Sequence, residues 1–208
     1  IFVGPKEPEG LLDAAINRHS NRFTIKMIDS ELGRGKQLNA GAKEATGDVF
    51  WFIHADSRVN RKGMMLLNSS LEENPGALYY YNLRFQSGSS PLMELNKYGS
   101  YIRSHLMNLP FGDQAFAMVR DTFEKIGGYD ESGVGSEDHL FVLAAIRNKV
   151  QIKCTGGVVY TSSRKYKREG WLKTTSKHLI ATASVSAKDF WSYSEKVAAI
   201  RQMTGRDQ

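Results

Sequence analysis

Apolar residues along this chain recur at two spacings, and the switching between them predicts short strands alternating with amphipathic helices. Ile1 to Val3 reads as the end of a buried strand, followed by a Pro- and Gly-containing turn. Leu11 to Arg18 has helical spacing, and Phe23 to Ile28 alternates as a strand. A glycine loop, Gly33 to Gly35, leads into a helix over Lys36 to Ala45 that Gly47 is placed to close. Val49 to Ile53 is an apolar run of the kind buried on both faces of a sheet. Lys62 to Leu71 is helical and stops before Asn74-Pro75-Gly76; the tyrosine-rich Ala77 to Phe85 is the next strand. Leu92 to Met107 is a longer helix, and Ala115 to Val119 a short strand. Asp121 and Glu124 have capping-box spacing for a helix ending at Gly127-Gly128, and Ser136 is placed to cap another that runs to about Asn148. Val150 to Lys153 and Gly157 to Tyr160 are the last strands, with two helices in Glu169 to Met203. The pattern predicts one α/β domain over residues 1–208: a core over 1–162 and a helical tail over 163–208.

Composition narrows the classes. With 41% hydrophobic and 24% charged residues in 208, the chain is globular and not disordered. A single cysteine, Cys154, excludes a disulfide scaffold and suits a reducing, cytoplasmic setting. No apolar run approaches the roughly 20 residues that span a bilayer. The chain opens on Ile1 rather than Met, so a start and a targeting segment can lie upstream. A net charge of +6 favours anionic partners, and the densest basic cluster is Arg164, Lys165, Lys167 and Arg168. Tyr160, Tyr166 and Trp171 are interleaved with it, which keeps a nucleic-acid-binding module as a rival reading. The mildly amphipathic Leu172 to Ala187 carries lysines and allows peripheral contact with a membrane surface, after packing of the tail itself.

In an open α/β sheet, ligands bind beyond the carboxyl ends of the strands, so chemistry is sought in the strand-to-helix loops. Gly33-Arg34-Gly35-Lys36 feeds a helix N-terminus whose free N–H groups favour a phosphate; it is equally readable as a plain basic loop. It is not a Walker loop, because no Ser or Thr follows Lys36. His54-Ala55-Asp56 follows an apolar strand; Asp56 either caps a turn or holds Mg²⁺ or Mn²⁺, which take one or two carboxylates together with substrate phosphates. Glu137-Asp138 opens a helix, where the dipole alone favours acids, or where one acts as a general base. Gly112-Asp113-Gln114 reads alone as a turn.

The order of these fragments resembles family 2 glycosyltransferases of the GT-A fold, from about Val3 to beyond Trp171. It is most similar to the subgroup associated with radical-SAM/selenodomain proteins. The matching residues are Gly33-Arg34-Gly35 with Gln37, Asn39 and Gly41; Ala45-Thr46-Gly47-Asp48-Val49; Phe52-x-His54-Ala55-Asp56; Gly112-Asp113-Gln114-Ala115; Phe123-Glu124-x-x-Gly127-Gly128; Glu137-Asp138; and Thr161 to Gly170. The resemblance implies a Rossmann-like three-layer sandwich and inverting transfer of a sugar from a nucleotide-diphospho-sugar to a hydroxyl of a sugar or lipid-linked acceptor. No nucleic acid is implied. It makes Asp138 the catalytic base with Glu137 its neighbour, and Asp56 the ligand of Mg²⁺ or Mn²⁺. The donor loop would be Arg34, Lys36, Gln37, Asn39, Gly41 and His54, with Asp113, Gln114 and Arg164 at the sugar or acceptor. Asp56 and Asp138 are expected to face each other across one cleft.

Two departures stand out. His54 replaces the first acid of the family's Asp-x-Asp, and Gly4 falls where an acid is expected to help hold the nucleoside. In that register the family's first strand and its helix lie upstream of Ile1, leaving apolar edges to be covered by another segment or chain. These departures support the rival of a degenerate homologue that binds a nucleotide or partner without turnover; Asp56 or Asp138 locked in a structural salt bridge would favour it. A nucleotidyltransferase on a similar fold is a third rival. Donor, acceptor and oligomeric state are not encoded in the motifs.

Overall fold

The strand and helix signals are realised as two ladders flanked by helices. The computed structural model describes residues 1–4, 24–86, 91–132 and 136–163, with Ser176, Ile180 and Ser184 in isolation. The helix expected over Leu11 to Arg18, most of the C-terminal tail and Arg164 lie outside the described residues. β1 (Phe2–Gly4) and β2 (Met27–Asp29) form a parallel pair. Then come α1 (Arg34–Glu44), β3 (Val49–Trp51), β4 (Arg58–Val59), α2 (Arg61–Glu73) and β5 (Ala77–Phe85). α3 (Pro91–Leu106), a 3₁₀ turn (Gly112–Gln114), β6 (Ala117–Val119), α4 (Arg120–Ile126), α5 (Glu137–Arg147) and β7 (Gln151–Thr161) complete it. The second sheet has the order β3-β6-β5-β7-β4.

β5 is the strand buried on both faces, a place the apolar run after Asp48 was expected to take. Leu78 and Tyr80 point into one core with Leu38 and Ala42 of α1, Phe123 and Ile126 of α4, and Phe141, Val142 and Ala145 of α5. Ala77, Tyr79, Tyr81 and Leu83 point into the other, against Leu67 and Leu71 of α2. The result is a three-layer α/β/α sandwich. β3 is instead an edge among the described residues: it pairs only with β6, and Val49 and Ile53 are each 42% exposed while Phe50 between them is 5% exposed. The free edge of β3 faces β1 across a cleft of about 420 Å³ roofed by Leu38, Gly41, Ala42 and Ala45 of α1.

Helix ends also differ from expectation for local reasons. α1 stops at Ala45, not Gly47, and Arg120 Nη2 donates to the carbonyls of Ala45 (2.8 Å) and Gly47 (3.0 Å), satisfying acceptors that a helix end leaves orphaned. No capping box forms with Asp121 and Glu124, because α4 starts two residues earlier and follows directly on β6 through Val119. Gly127 does close α4, at φ 99°. Ser136 precedes α5 in a left-handed conformation, φ 68°, and its hydroxyl caps nothing. The last two expected strands are one, β7, in which Gly156 takes φ 74° beside a register shift against Tyr80/Asn82.

β3 is antiparallel to β6, β6 to β5, and β5 is parallel to β7, so β3, β5 and β7 run in one direction. Their carboxyl ends share one edge of the sheet. There Ser57 Oγ donates to Thr161 Oγ1 (3.2 Å), Gln86 Nε2 to the Asp56 carbonyl (3.3 Å), and Gln86 N to the Thr161 carbonyl (3.0 Å). At the other end of the loop after β4, Asn60 caps α2 by accepting from Gly63 N at 2.8 Å. Asn60→Ala is expected to cost about 1 kcal/mol, the usual worth of such a cap, read as a lower urea midpoint at unchanged slope.

Candidate active site

Four segments far apart in sequence converge at that sheet edge: the start of α1, the loop after β3, the 3₁₀ turn and the start of α5. Arg34, the first residue of α1, joins them. Its Nη2 lies 2.8 Å from Asp138 Oδ2 and also contacts His54 Nε2, while its Nε lies 3.2 Å from Glu137 Oε1. A guanidinium only donates, so Nε2 of His54 accepts and the ring proton sits on Nδ1. The Arg34 side chain is 41% exposed, against 14% and 13% for the two acids it holds.

The chemistry centres on Asp138. Burial pushes its carboxyl up to about 6; Arg34 and the nearby Gly112 N–H pull it down, and Glu137 and Asp113 push it further up. Gly112 exists to make room: a Cβ there would stand 2.2 Å from Asp138 Oδ1. Oδ1 itself is buried and makes no hydrogen bond of sound geometry among the described residues, as is also true of Asp113 Oδ1. An unanswered carboxylate oxygen in a protein interior is costly, and such atoms are kept where they have work to do. His54 is held below its ordinary pKa, by burial first and Arg34 second, with Asp113, Asp56 and Glu137 pulling the other way. It is therefore neutral at pH 7 and stands between Asp56 on one side and Arg34 on the other. Tyr129, stacked on Phe141 with centroids 4.2 Å apart, is driven well above the usual phenol value by burial, then by Asp138.

The other expected site residues make contacts of their own within the fold. Asn39 is a staple: its Nδ2 donates to the Tyr129 carbonyl (2.9 Å) and to Glu131 Oε1 (2.7 Å), and its Oδ1 accepts from Tyr129 N (2.9 Å). Gly35 allows the same approach of α1 to that loop, since a Cβ would lie 1.9 Å from the Asp130 carbonyl. Gly41 faces β1, where a Cβ would press on Val3. Lys36 is turned outward to Glu31 at 2.6 Å, and Gln37 lines the cleft between β1 and β3. Gln114 is 1% exposed, with its amide spent on Tyr81 O, Ser104 Oγ, Phe111 N and Arg103 Nη2. Arg103 was invisible as a partner in the sequence; it also donates to the Leu109 carbonyl (2.9 Å) and stacks on Phe111 at 3.4 Å, fixing the turn that presents Gly112 and Asp113.

With this arrangement in view, the sequence pattern of glycosyl transferase family 2 matches residues 7–127, more than half of the chain. The chain belongs to glycosyl transferase family 2. Solved structures with the same fold include GalNAc-T7 with UDP, GalNAc and Mn²⁺, at 13% identity and TM-score 0.56, covering 77% of this chain and 37% of that one. The mannosyltransferase PcManGT from Pyrobaculum calidifontis, in complex with GDP-Man and Mn²⁺, has 15% identity and TM-score 0.55 over 75% and 46%. TarS 1-349 from S. aureus, in complex with UDP-GlcNAc, has 16% identity and TM-score 0.56 over 77% and 48%. This family 2 chain thus spans less than half the length of each. No curated protein matches it.

Among the described residues, no three His, Cys, Asp or Glu side chains gather as a preformed metal cage. Of the carboxylates that act on His54, which are Asp113, Asp56 and Glu137, Asp56 is the one in the same loop, and the His54 Nε2 is turned to Arg34. One carboxylate completed by substrate phosphates and water is a coordination that Mg²⁺ and Mn²⁺ accept, so the residues fit a metal arriving with a diphosphate. No helix of the described residues is long and apolar enough to cross a membrane. Removing the Asn39 amide leaves the Tyr129 N–H and carbonyl without their partners, so Asn39→Ala is expected to lose about 2 kcal/mol of stability. A chemical-denaturation series reads that loss as a lower midpoint at unchanged slope.

Proposed function

We propose that this family 2 domain transfers a sugar from a nucleotide-diphospho-sugar to a hydroxyl of a sugar or lipid-linked acceptor, with inversion at the anomeric carbon. The observation that carries this reading is the carboxyl of Asp138: buried at the start of α5, displaced toward neutrality, and with Oδ1 unanswered. Asp138 takes the proton of the acceptor hydroxyl as that oxygen bonds to the anomeric carbon. The bond from that carbon to the diphosphate oxygen breaks, and the nucleoside diphosphate leaves with the electron pair. Glu137, Asp113 and the Gly112 N–H set the basicity of Asp138, and Asp113 lies where an acceptor or donor sugar would pass. Asp56 would hold Mg²⁺ or Mn²⁺, as befits the Mn²⁺ complexes of GalNAc-T7 and PcManGT. A bound divalent ion supplies Lewis-acid neutralisation of charge on the leaving diphosphate. The donors in the related complexes, UDP, GDP-Man and UDP-GlcNAc, give the nucleotide classes to try first. The motif order further supports membership of the radical-SAM/selenodomain-associated subgroup, and the single cysteine, Cys154, supports a cytoplasmic setting.

One observation favours a second reading, a homologue that binds without turnover: Asp138 is ion-paired to Arg34. Arg34 lowers the Asp138 carboxyl as a bridge does, but burial outweighs it and leaves the carboxyl raised, which is compatible with a base. The readings part in a transfer assay with UDP- and GDP-sugars and Mn²⁺. The transferase reading expects Asp138→Asn to lose about 10²- to 10⁴-fold in turnover, the range typical of a general base, and Asp56→Ala to lose the Mn²⁺ dependence. The base works ionised, so kcat/KM, which reports the free protein, is expected to fall as pH drops through about 6 and to level off above it. No turnover with any donor, together with nucleotide binding unaffected by Asp56→Ala, would favour the non-catalytic homologue.

A further inference from the structure

Arg34 is placed between the two halves of the proposed reaction. On one side it holds both acids of α5; on the other it touches His54, two residues before Asp56. Its three contacts employ Nε and Nη2, and Nη1 is in none of them. It is also the residue common to the two cavities at the start of α1, the 420 Å³ cleft beside β3 and a smaller space of about 110 Å³ shared with Gly33, Lys36, Glu131 and Glu137. Beside Asp138 stand three further carboxylates, Asp56, Asp113 and Glu137, each of which acts on Asp138 or His54, while His54 is neutral. A dianionic diphosphate entering such a site meets repulsion unless cationic charge is freed for it. Arg34, more exposed than the acids it holds, is the guanidinium within the cluster that can supply that charge.

We propose that Arg34 is a shared charge: it holds the Asp138 carboxylate in the free protein, and it is the group that the donor's diphosphate must win from that carboxylate, so that donor binding and protonation of Asp138 are coupled. The inference rests on reading this edge as a nucleotide-sugar site, and it makes Arg34 a positioning residue for the base. Coupling is reciprocal by thermodynamic necessity. A protonated Asp138 releases Arg34 and favours the donor; a bound donor withdraws Arg34 and leaves Asp138 a stronger base when the acceptor hydroxyl arrives. The groups that face Asp138 are Arg34 from α1, Glu137 beside it, Asp113 and the Gly112 N–H from the 3₁₀ turn, and the Tyr129 phenol. Of these, Arg34 is the cation, and it also touches His54 on the donor side.

The test is calorimetric binding of UDP-glucose and GDP-mannose with Mn²⁺ and no acceptor, from pH 5 to 8, because a diphospho-sugar has no terminal phosphate that titrates in this range. Wild-type affinity is expected to weaken as pH rises through the titration of Asp138. Asp138→Asn is expected to bind roughly tenfold more tightly than wild type at pH 8, the scale of one charge-assisted hydrogen bond released, and to lose the pH dependence. Arg34→Gln combined with Asp138→Asn closes a double-mutant cycle. If the gain acts through Arg34, it vanishes in the Arg34→Gln background and returns with Arg34→Lys. An equal gain in both backgrounds would reduce the effect to the lost negative charge and overturn the proposal while leaving the donor site standing. Donor affinity that Asp138→Asn leaves unchanged would overturn it in the same way. Failure of every variant and the wild type to bind either donor would overturn the donor-site reading and the coupling with it.

Discussion

A carboxylate buried at the N-terminus of α5, with one guanidinium to answer it, is the constraint around which the rest of this structure is arranged. Burial alone would drive Asp138 toward its neutral form, and Glu137 and Asp113 add to that pressure. Arg34 and the Gly112 N–H oppose it. The balance leaves a group that is ionised at neutral pH yet basic enough to accept a proton, which is the tuning that general-base chemistry requires. Such a balance fails if any of the four segments drifts by an ångström, so the surrounding packing has to be stiff.

That stiffness is visible in residues packed behind and around the site. Asn39 and Gly35 clamp α1 to the loop at Tyr129–Glu131, which sets where Arg34 can reach. Tyr129, Phe141, Phe123 and Phe52 form an aromatic block beneath the start of α5, with rings between 4.2 Å and 6.1 Å apart. Gln114 and Arg103 lock the 3₁₀ turn from inside, so that Gly112 can lie flat against Asp138. Each device converts core packing into position at the sheet edge.

Much of this could be read along the chain because the loops that matter follow predicted strands or open predicted helices. The convergence of His54-Ala55-Asp56, Gly112-Asp113 and Glu137-Asp138 on one edge follows from three co-directional strands, β3, β5 and β7. What periodicity cannot carry is partnership at a distance. Asn39 and Gln114 belong to motifs that look like substrate contacts, yet their amides satisfy backbone groups 90 and 33 residues away. Arg34 read as a phosphate contact, and its pairing with Asp138 depends on a fold that local pattern does not encode. The strand after Asp48 has the composition of a doubly buried strand, but its second neighbour is absent from the described ladder, so its apolar side chains line a cleft. The apparent caps at Asp121 and Ser136 failed because chain direction out of β6 and a left-handed turn fixed those helix starts first.

A base at Asp138 and one half of a satisfied ion pair part in carboxyl ¹³C titration of the protein, assigned through Asp138→Asn. A base held as described titrates near pH 6, and moves upward in Arg34→Gln. A titration below the ordinary aspartate range, about 3.9, would show a structural salt bridge in its place.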